Sequence, residues 1–467
     1  MSAEAAAPRR AGRVSWRWLE LRLLLPLALL VPLGFAVTHI AVSQKPDIGP
    51  MLIAVAYVVL MLAAHFVLVA SGHRGDTLLL PLVATIGGVG MIMLNRLAPV
   101  VGKTAAFGLD LDIATTQILW FGVGVIAMLA VAIGLRDDRI LRHYKYTWAL
   151  AGIAGLVFTF LFGTEVNGAR LWIYLGPIGF QPSEFIKLVL VVFIAGYLAE
   201  HRTLLRDAVV RIGPIKVPPL PYLLPMLAIF VIVMLVVVFG KDLGTALLFF
   251  GIFLTMLFVA TGRRSYVLVG LLLFLAGSFV ASQLFEHVAR RIDAWIDPFA
   301  DASGSGYQAV QSLYAFARGG LFGEGLGQSL LPTAGGHFPA VETDFIFAVV
   351  GEELGAIGAF ALLALAMTLV FRGMRIAILA RDDFSGLLAV GLTVSLGLQT
   401  LIIAAGVLKL IPLTGITFPF VSYGGSSLLA SFLIIGLLLS ISHRSAEAAD
   451  AEAPLAAGDP AVGEAGA

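Results

Sequence analysis

The chemistry-bearing residues of this chain gather where polar side chains interrupt or adjoin long apolar runs. Phe338-Pro339-Ala340-Val341-Glu342-Thr343-Asp344-Phe345-Ile346-Phe347 puts a carboxylate, Asp344, at the mouth of an apolar helix. Partial desolvation there raises a carboxyl pKa toward a general base's working range. The position equally suits a helix N-cap, for which Thr343 and Asp344 are the right types. Glu184 and Lys187 lie at i, i+3 on one helical face, as a self-neutralising pair or as a cation offered to an anionic headgroup. In the short turn Lys241-Asp242, Asp242 suits a cap on the next helix. Arg170, beside Trp172, reads as an interface anchor or as a phosphate ligand.

Residues 284–344 add a second group. Gly304-Ser305-Gly306-Tyr307-Gln308 opens a helix that sets Gln308, Gln311 and Ser312 at i, i+3, i+4, a face suited to sugar recognition or simply to water. Gly319, Gly320, Gly323, Gly325 and Gly327 allow close backbone approach, for instance to a pyrophosphate, although no Gly-Lys-Ser/Thr follows. Glu352 and Glu353 fall inside an apolar helix, so each must be paired, protonated or in a polar cavity, while Gly351 and Gly355 suit close helix packing. The eight histidines give no metal spacing, and His287 and His337 read as surface residues.

The elements that must position these residues follow from composition. Of 467 residues 59% are apolar and 13% charged, against about 25% charged in soluble domains, which excludes a soluble fold. A formal charge of +1 argues against nucleic-acid binding, and the lack of cysteine rules out disulfides and thiol chemistry. Continuous apolar runs at about 22–42, 50–70, 77–95, 113–134, 146–163, 183–199, 219–239, 243–260, 265–283, 345–371, 384–408 and 422–442 predict an all-α, polytopic membrane protein. It has about twelve transmembrane helices. With the N-terminus inside, twenty of the thirty Lys and Arg residues fall on the cytoplasmic side, as the positive-inside rule requires. Residues 284–344 then form a large extracytoplasmic loop, too aromatic for a disordered linker. The tail from Ser445 onward reads as disordered.

Seven segments in order resemble the SEDS family (shape, elongation, division and sporulation proteins), the RodA/FtsW/SpoVE-type peptidoglycan glycosyltransferases. They are Asn-Gly-Ala-Arg-Leu-Trp at 167–172, Gln-Pro-Ser-Glu-x-x-Lys at 181–187, Lys-Asp-Leu-Gly-Thr at 241–245 and Gly-Tyr-Gln-x-x-Gln-Ser at 306–312. Then come Thr-Asp-Phe-Ile-Phe-Ala at 343–348, Gly-Glu-Glu-Leu-Gly at 351–355 and Pro-Phe-Val-Ser-Tyr-Gly-Gly-Ser-Ser at 419–427. The chain departs from the family pattern at Ala340 and Glu342, where an acidic residue and a His are common, and at Gly240-Lys241 in place of Gln-Pro.

The resemblance implies a ten-helix core over 77–443, two added helices within 1–76 and a tail at 444–467. It is similar to RodA-like, actinobacterial members more than to FtsW-like ones. It implies polymerisation of lipid II outside the cytoplasmic (inner) membrane: the GlcNAc C4 hydroxyl attacks MurNAc C1 and undecaprenyl diphosphate leaves. Asp344 matches the family's catalytic base. Arg170, Glu184, Lys187, Lys241, Asp242, Gln308, Gln311, Ser312, Glu353, Ser422 and Tyr423 match motif positions expected to bind substrate. The leaving diphosphate needs cationic side chains or a divalent cation such as Mg2+. The implied partner is a class B penicillin-binding protein, a single-span transpeptidase. A lipid II flippase and a non-catalytic scaffold are the competing readings.

Overall fold

The computed structural model describes residues 17–456 except 44–47, 107–108, 136, 167–168, 177, 208–209, 213–214, 218–219 and 337. Arg9, Arg10, Arg13, Lys45, Arg136, Asn167, Gly168, His337 and the end of the tail, on which expectations fell, lie outside the described residues. Among those described, twelve helices are long and apolar enough to cross a bilayer, the expected number.

The first span is α1 (Trp18–Leu24) and α2 (Leu27–Ser43), interrupted at Pro26, which lacks the amide a continuous helix needs. There follow α3 (Gly49–Ala70), α4 (Leu79–Val101), α5 (Ile113–Gly134), the short α6 (Arg139–His143), α7 (Lys145–Phe162), α8 (Pro182–Asp207), α9 (Leu220–Phe239), α10 (Leu243–Thr261) and α11 (Arg264–Leu284). The loop helices α12 (Glu286–Ile296) and α13 (Tyr307–Gly319) precede α14 (Ile346–Ile378), α15 (Asp383–Val407) and α16 (Gly425–Ala456). Small antiparallel strands in the connections (Lys103–Ala106 with Leu109–Asp112, Thr164–Val166 with Ala169–Leu175 and Ile178–Phe180, Val210–Ile212 with Ile215–Val217) are the exceptions to an all-α fold. The buried centre is built from α8, α15 and α16, with α15 packed on α8, α10 and α14, and α16 on α5. α11 stands at the periphery, its apolar side chains facing outward as lipid requires.

Charge pairs gather the helix ends of one side. Arg372 pairs with Asp76, Arg202 with Asp383, Arg444 with Asp138, and Lys145 with Glu200 at 2.5 Å. The loop from 285 to 345 lies at the other end of the bundle, as strict alternation of the spans demands. The last helix continues to Ala456, where disorder was expected beyond Ser445; Ala and Glu are strong helix formers, and Asp450 pairs with Arg74 at 2.6 Å.

One break in a helix shapes everything above it. α14 is interrupted at Gly355 (φ 68°, ψ −173°), which strands two carbonyls and two amides. The glycine-rich loop splices the gap. Glu324 and Gly325 amides donate to the Glu352 and Glu353 carbonyls (2.9 and 3.0 Å), and Ala356 and Ile357 amides donate to Gly320 and Leu321 carbonyls (2.9 and 3.2 Å). A side chain at Gly319 or Gly323 would collide with the backbone of Gly351 or Glu353. Gly319 and Gly323 therefore serve close packing against α14 rather than a pyrophosphate cradle.

Candidate active site

A cavity of about 440 Å3 opens between the loop and the helix ends. One wall is α12, whose His287, Arg290, Arg291, Ala294 and Trp295 recur at i, i+3, i+4, i+7 and i+8 and so share one face. α13 contributes Gln308 and Ala309. Lys241 enters from the turn between α9 and α10, and Lys409 from the turn after α15; both adopt positive φ (63° and 60°). Trp295 ties α12 to that second turn by donating its indole N–H to the Lys409 carbonyl (3.1 Å), and Arg291 donates to the carbonyls of Leu413 and Thr414 (3.4 Å each). Four basic side chains thus face a space in which Asp344 is the lining carboxylate.

Asp344 is not a helix cap. α14 begins at Ile346, and its cap residue is Phe345, with no side-chain bond to the first turn. The cap reading failed because the chain makes one more turn first: Asp344 N–H donates to the Ala340 carbonyl (2.9 Å), with Ala340 at φ 56°. The connection before α16 then clasps this turn at the two residues just ahead of the carboxylate. Ser422 donates its hydroxyl to the Thr343 carbonyl (2.5 Å) and accepts from Phe418 N–H (2.8 Å), while Tyr423 N–H donates to the Glu342 carbonyl (2.9 Å). Gln117 in α5 locks the clasp by donating to the Ser422 carbonyl (3.1 Å). Desolvation, helped by the charge of nearby Glu342 and opposed by the Thr343 hydroxyl and Arg291, pushes the Asp344 carboxyl up to about 6. It is then mostly ionised at neutral pH, yet far more basic than a free aspartate.

The other expected site residues divide. Lys241 and Gln308 line the cavity, and Gln308 also donates to the Pro339 carbonyl (3.3 Å). Gln311 is half-buried and outside the lining, and Ser312 points the other way, buried and donating to the Val407 carbonyl (2.8 Å). The shared polar face expected of α13 is thus not formed, because Ser312 serves its packing on α15. Lys187 is buried between Glu184 (2.5 Å) and Gln399 (2.8 Å), which is the self-neutralising pair. Asp242 does cap α10, accepting from Thr245 N–H at 3.0 Å; burial raises its pKa, and its second oxygen has no hydrogen-bond partner among the described residues. Strand pairing sets Arg170 opposite Glu165 (3.4 Å), where it borders a separate, much smaller cavity with Ser183 and Asp242. Glu353 faces Arg96 (3.2 Å) and Gly327 N–H (2.9 Å). Glu352 accepts from Ser329, Leu330 and Leu331 and pairs with Arg318 (2.8 Å). Both glutamates are the paired kind, and they fasten the loop to α14 away from the cavity.

Sequence reasoning missed Arg290, Arg291, His287 and Lys409. The first three carried a signal, since their spacing with Ala294 and Trp295 marks one helical face. His287, expected at the surface, is half-buried in the cavity wall because α12 lies against the helix ends. Among the described residues no group of three or more His, Asp or Glu side chains could hold a metal ion. The donor set does not fit a resident divalent ion.

The chain is 44% identical over 391 residues to the peptidoglycan glycosyltransferase RodA of Mycobacterium tuberculosis (strain ATCC 25618 / H37Rv), covering 83% of this chain and 82% of that one. It is 35% identical to the stage V sporulation protein E of Bacillus subtilis, over 79% of this chain and 97% of the relative. Among solved structures, a chain from a peptidoglycan synthase complex that coordinates polymerization and crosslinking superposes with a TM-score of 0.62 at 28% identity, covering 79% of this chain and 98% of that one. The crystal structure of the rod shape determining protein RodA from Thermus thermophilus gives a TM-score of 0.54 at 28% identity, covering 79% and 97%. With residues 76–447 matching the FtsW/RodA/SpoVE cell cycle proteins, the chain belongs to that family.

Proposed function

We propose that this protein is a peptidoglycan glycosyltransferase that polymerises lipid II, with its cavity on the outer face of the cytoplasmic membrane. The observation that carries the reading is the pairing of one carboxylate of raised pKa with four basic side chains in one space. The acceptor's GlcNAc C4 hydroxyl is a poor nucleophile until a base takes its proton, and a positioned base contributes about 10²–10⁴-fold. Asp344 takes that proton as the oxygen attacks MurNAc C1. The C1–O bond to the diphosphate breaks, and undecaprenyl diphosphate leaves with the electron pair. Lys241, Arg290, Arg291 and Lys409 supply the positive charge that the departing diphosphate needs. Ser422 and Tyr423 act through the backbone, holding Asp344 in place.

We take residues 77–443 as the catalytic core and α1–α3 as an added unit, with α2 packed on α4 and α3 on α5. Similarity to RodA favours a role in elongation over division, with a single-span transpeptidase as partner, because the chain offers no Ser-x-x-Lys acylation site of its own. A lipid flippase would carry its polar groups near mid-span on broken helices. Here the polar cavity sits at loop level, and the glutamates beside the break in α14 are held in ion pairs, which favours chemistry. The test is purified protein with labelled lipid II: glycan strands on a gel support the reading, and intact lipid II under conditions that keep the protein folded refutes it.

A further inference from the structure

We propose that His287 is a proton-responsive ligand of the donor's diphosphate, neutral before the diphosphate enters and protonated once it is held. The inference rests on the glycosyltransferase reading and adds a residue to its binding site. His287 is the first cavity-facing residue of α12, and its Nε2 is buried with no hydrogen-bond partner among the described residues. Every element around it contributes charge. Arg290 and Arg291 come from its own helix, Lys241 from the turn between α9 and α10, and Lys409 and Asp344 line the far wall. Glu286 is drawn off toward Arg290 (3.7 Å), and Asp242 faces Arg291.

Desolvation and the charges of Arg291, Lys241 and Arg290 hold the imidazole below its ordinary pKa. A diphosphate diester brings two negative charges into the same space and reverses that field. The imidazolium becomes the favoured form, and its Nε2–H gains a phosphate oxygen as acceptor. Four permanent cations grip a diphosphate at any physiological pH and so slow its release. One imidazole that sheds its proton as the lipid leaves makes the grip adjustable.

The test is calorimetric titration of short-chain lipid II into the Asp344→Asn protein at pH 7, in two buffers of different ionisation enthalpy. Asp344→Asn prevents turnover and removes the other group that titrates in this range. The probe's diphosphate diester does not titrate near neutral pH. Binding should take up about half a proton or more, within the range open to a histidine. Uptake should fall to near zero with His287→Gln added, and affinity should then be flat from about pH 6 to 8. His287→Asn serves in its place should the Gln variant fail to fold. Equal proton uptake with and without His287 overturns the proposal alone. Absence of lipid II binding to any of these proteins overturns the glycosyltransferase reading together with it.

Discussion

Gly355→Ala tests whether the loop that walls the cavity is held by the break in α14. The residue's φ of 68° and ψ of −173° fall in a region open essentially to glycine, so alanine costs about 1–3 kcal/mol there from the backbone alone. A Cβ would also collide with Gly323 N and Leu321 O, the strand that splices the helix. Moving that strand away gives up the Ala356–Gly320 and Ile357–Leu321 hydrogen bonds, at about 1 kcal/mol each. The total is roughly 3–5 kcal/mol, a size reached by few single substitutions. Gly262→Ala is the matched control. Its φ is 69° with nothing within 4 Å of an added Cβ, so it bears only the left-handed penalty of about 1–2 kcal/mol. Thermal unfolding of the detergent-purified variants should show a much larger drop in Tm for Gly355→Ala than for Gly262→Ala. Polymerisation should fall alongside it. Equal Tm values for the two variants would refute the splice as a source of stability.

Four further outcomes follow from the site and the topology. A base must be ionised to act, so kcat/KM should decline below about pH 6, where Asp344 takes up its proton. Glu342→Gln removes a like charge and should move that acid limb to lower pH with activity at pH 7 largely kept, whereas Arg291→Gln removes an opposing cation and should move it to higher pH while raising KM; limbs that stay put, or both shift one way, contradict the assignment. Ser422→Ala loses the hydroxyl bridge to the Thr343 carbonyl and should lower kcat about tenfold or more with little change in KM, since it loosens Asp344 without touching substrate. Gln328→Cys in this cysteine-free chain should label from outside intact cells; labelling only after permeabilisation would invert the topology.

Much of this architecture could be read from residues because bilayer physics leaves few choices. A run of about 20 apolar residues must be a helix in lipid, and all twelve spans appear where such runs fall. The break at Gly355 was hidden by the same logic, since 345–371 is apolar enough to read as one helix despite Glu352 and Glu353, and the compensating hydrogen bonds come from distant residues 320–325. Misreading the glycines as a phosphate cradle followed from that. Asp344 stood out at a loop–helix junction, but its escape from capping depends on the extra turn at Ala340 and the clasp from Ser422 and Tyr423, contacts that no local pattern encodes. Arg290 and Arg291 share one face of the amphipathic helix α12 with His287, Ala294 and Trp295, a spacing legible in the sequence. Lys409 required the turn at 408–415, whose strained φ is set by tertiary packing.

Strand synthesis by Asp344→Asn against the unaltered protein, with labelled lipid II at pH 7, addresses the central claim most directly. Asparagine keeps the size and the neighbours of the aspartate and removes the basic oxygen. The variant should fold, insert and bind lipid II normally, yet polymerise about 10²–10⁴-fold more slowly. Near-normal strand synthesis by Asp344→Asn would contradict the account.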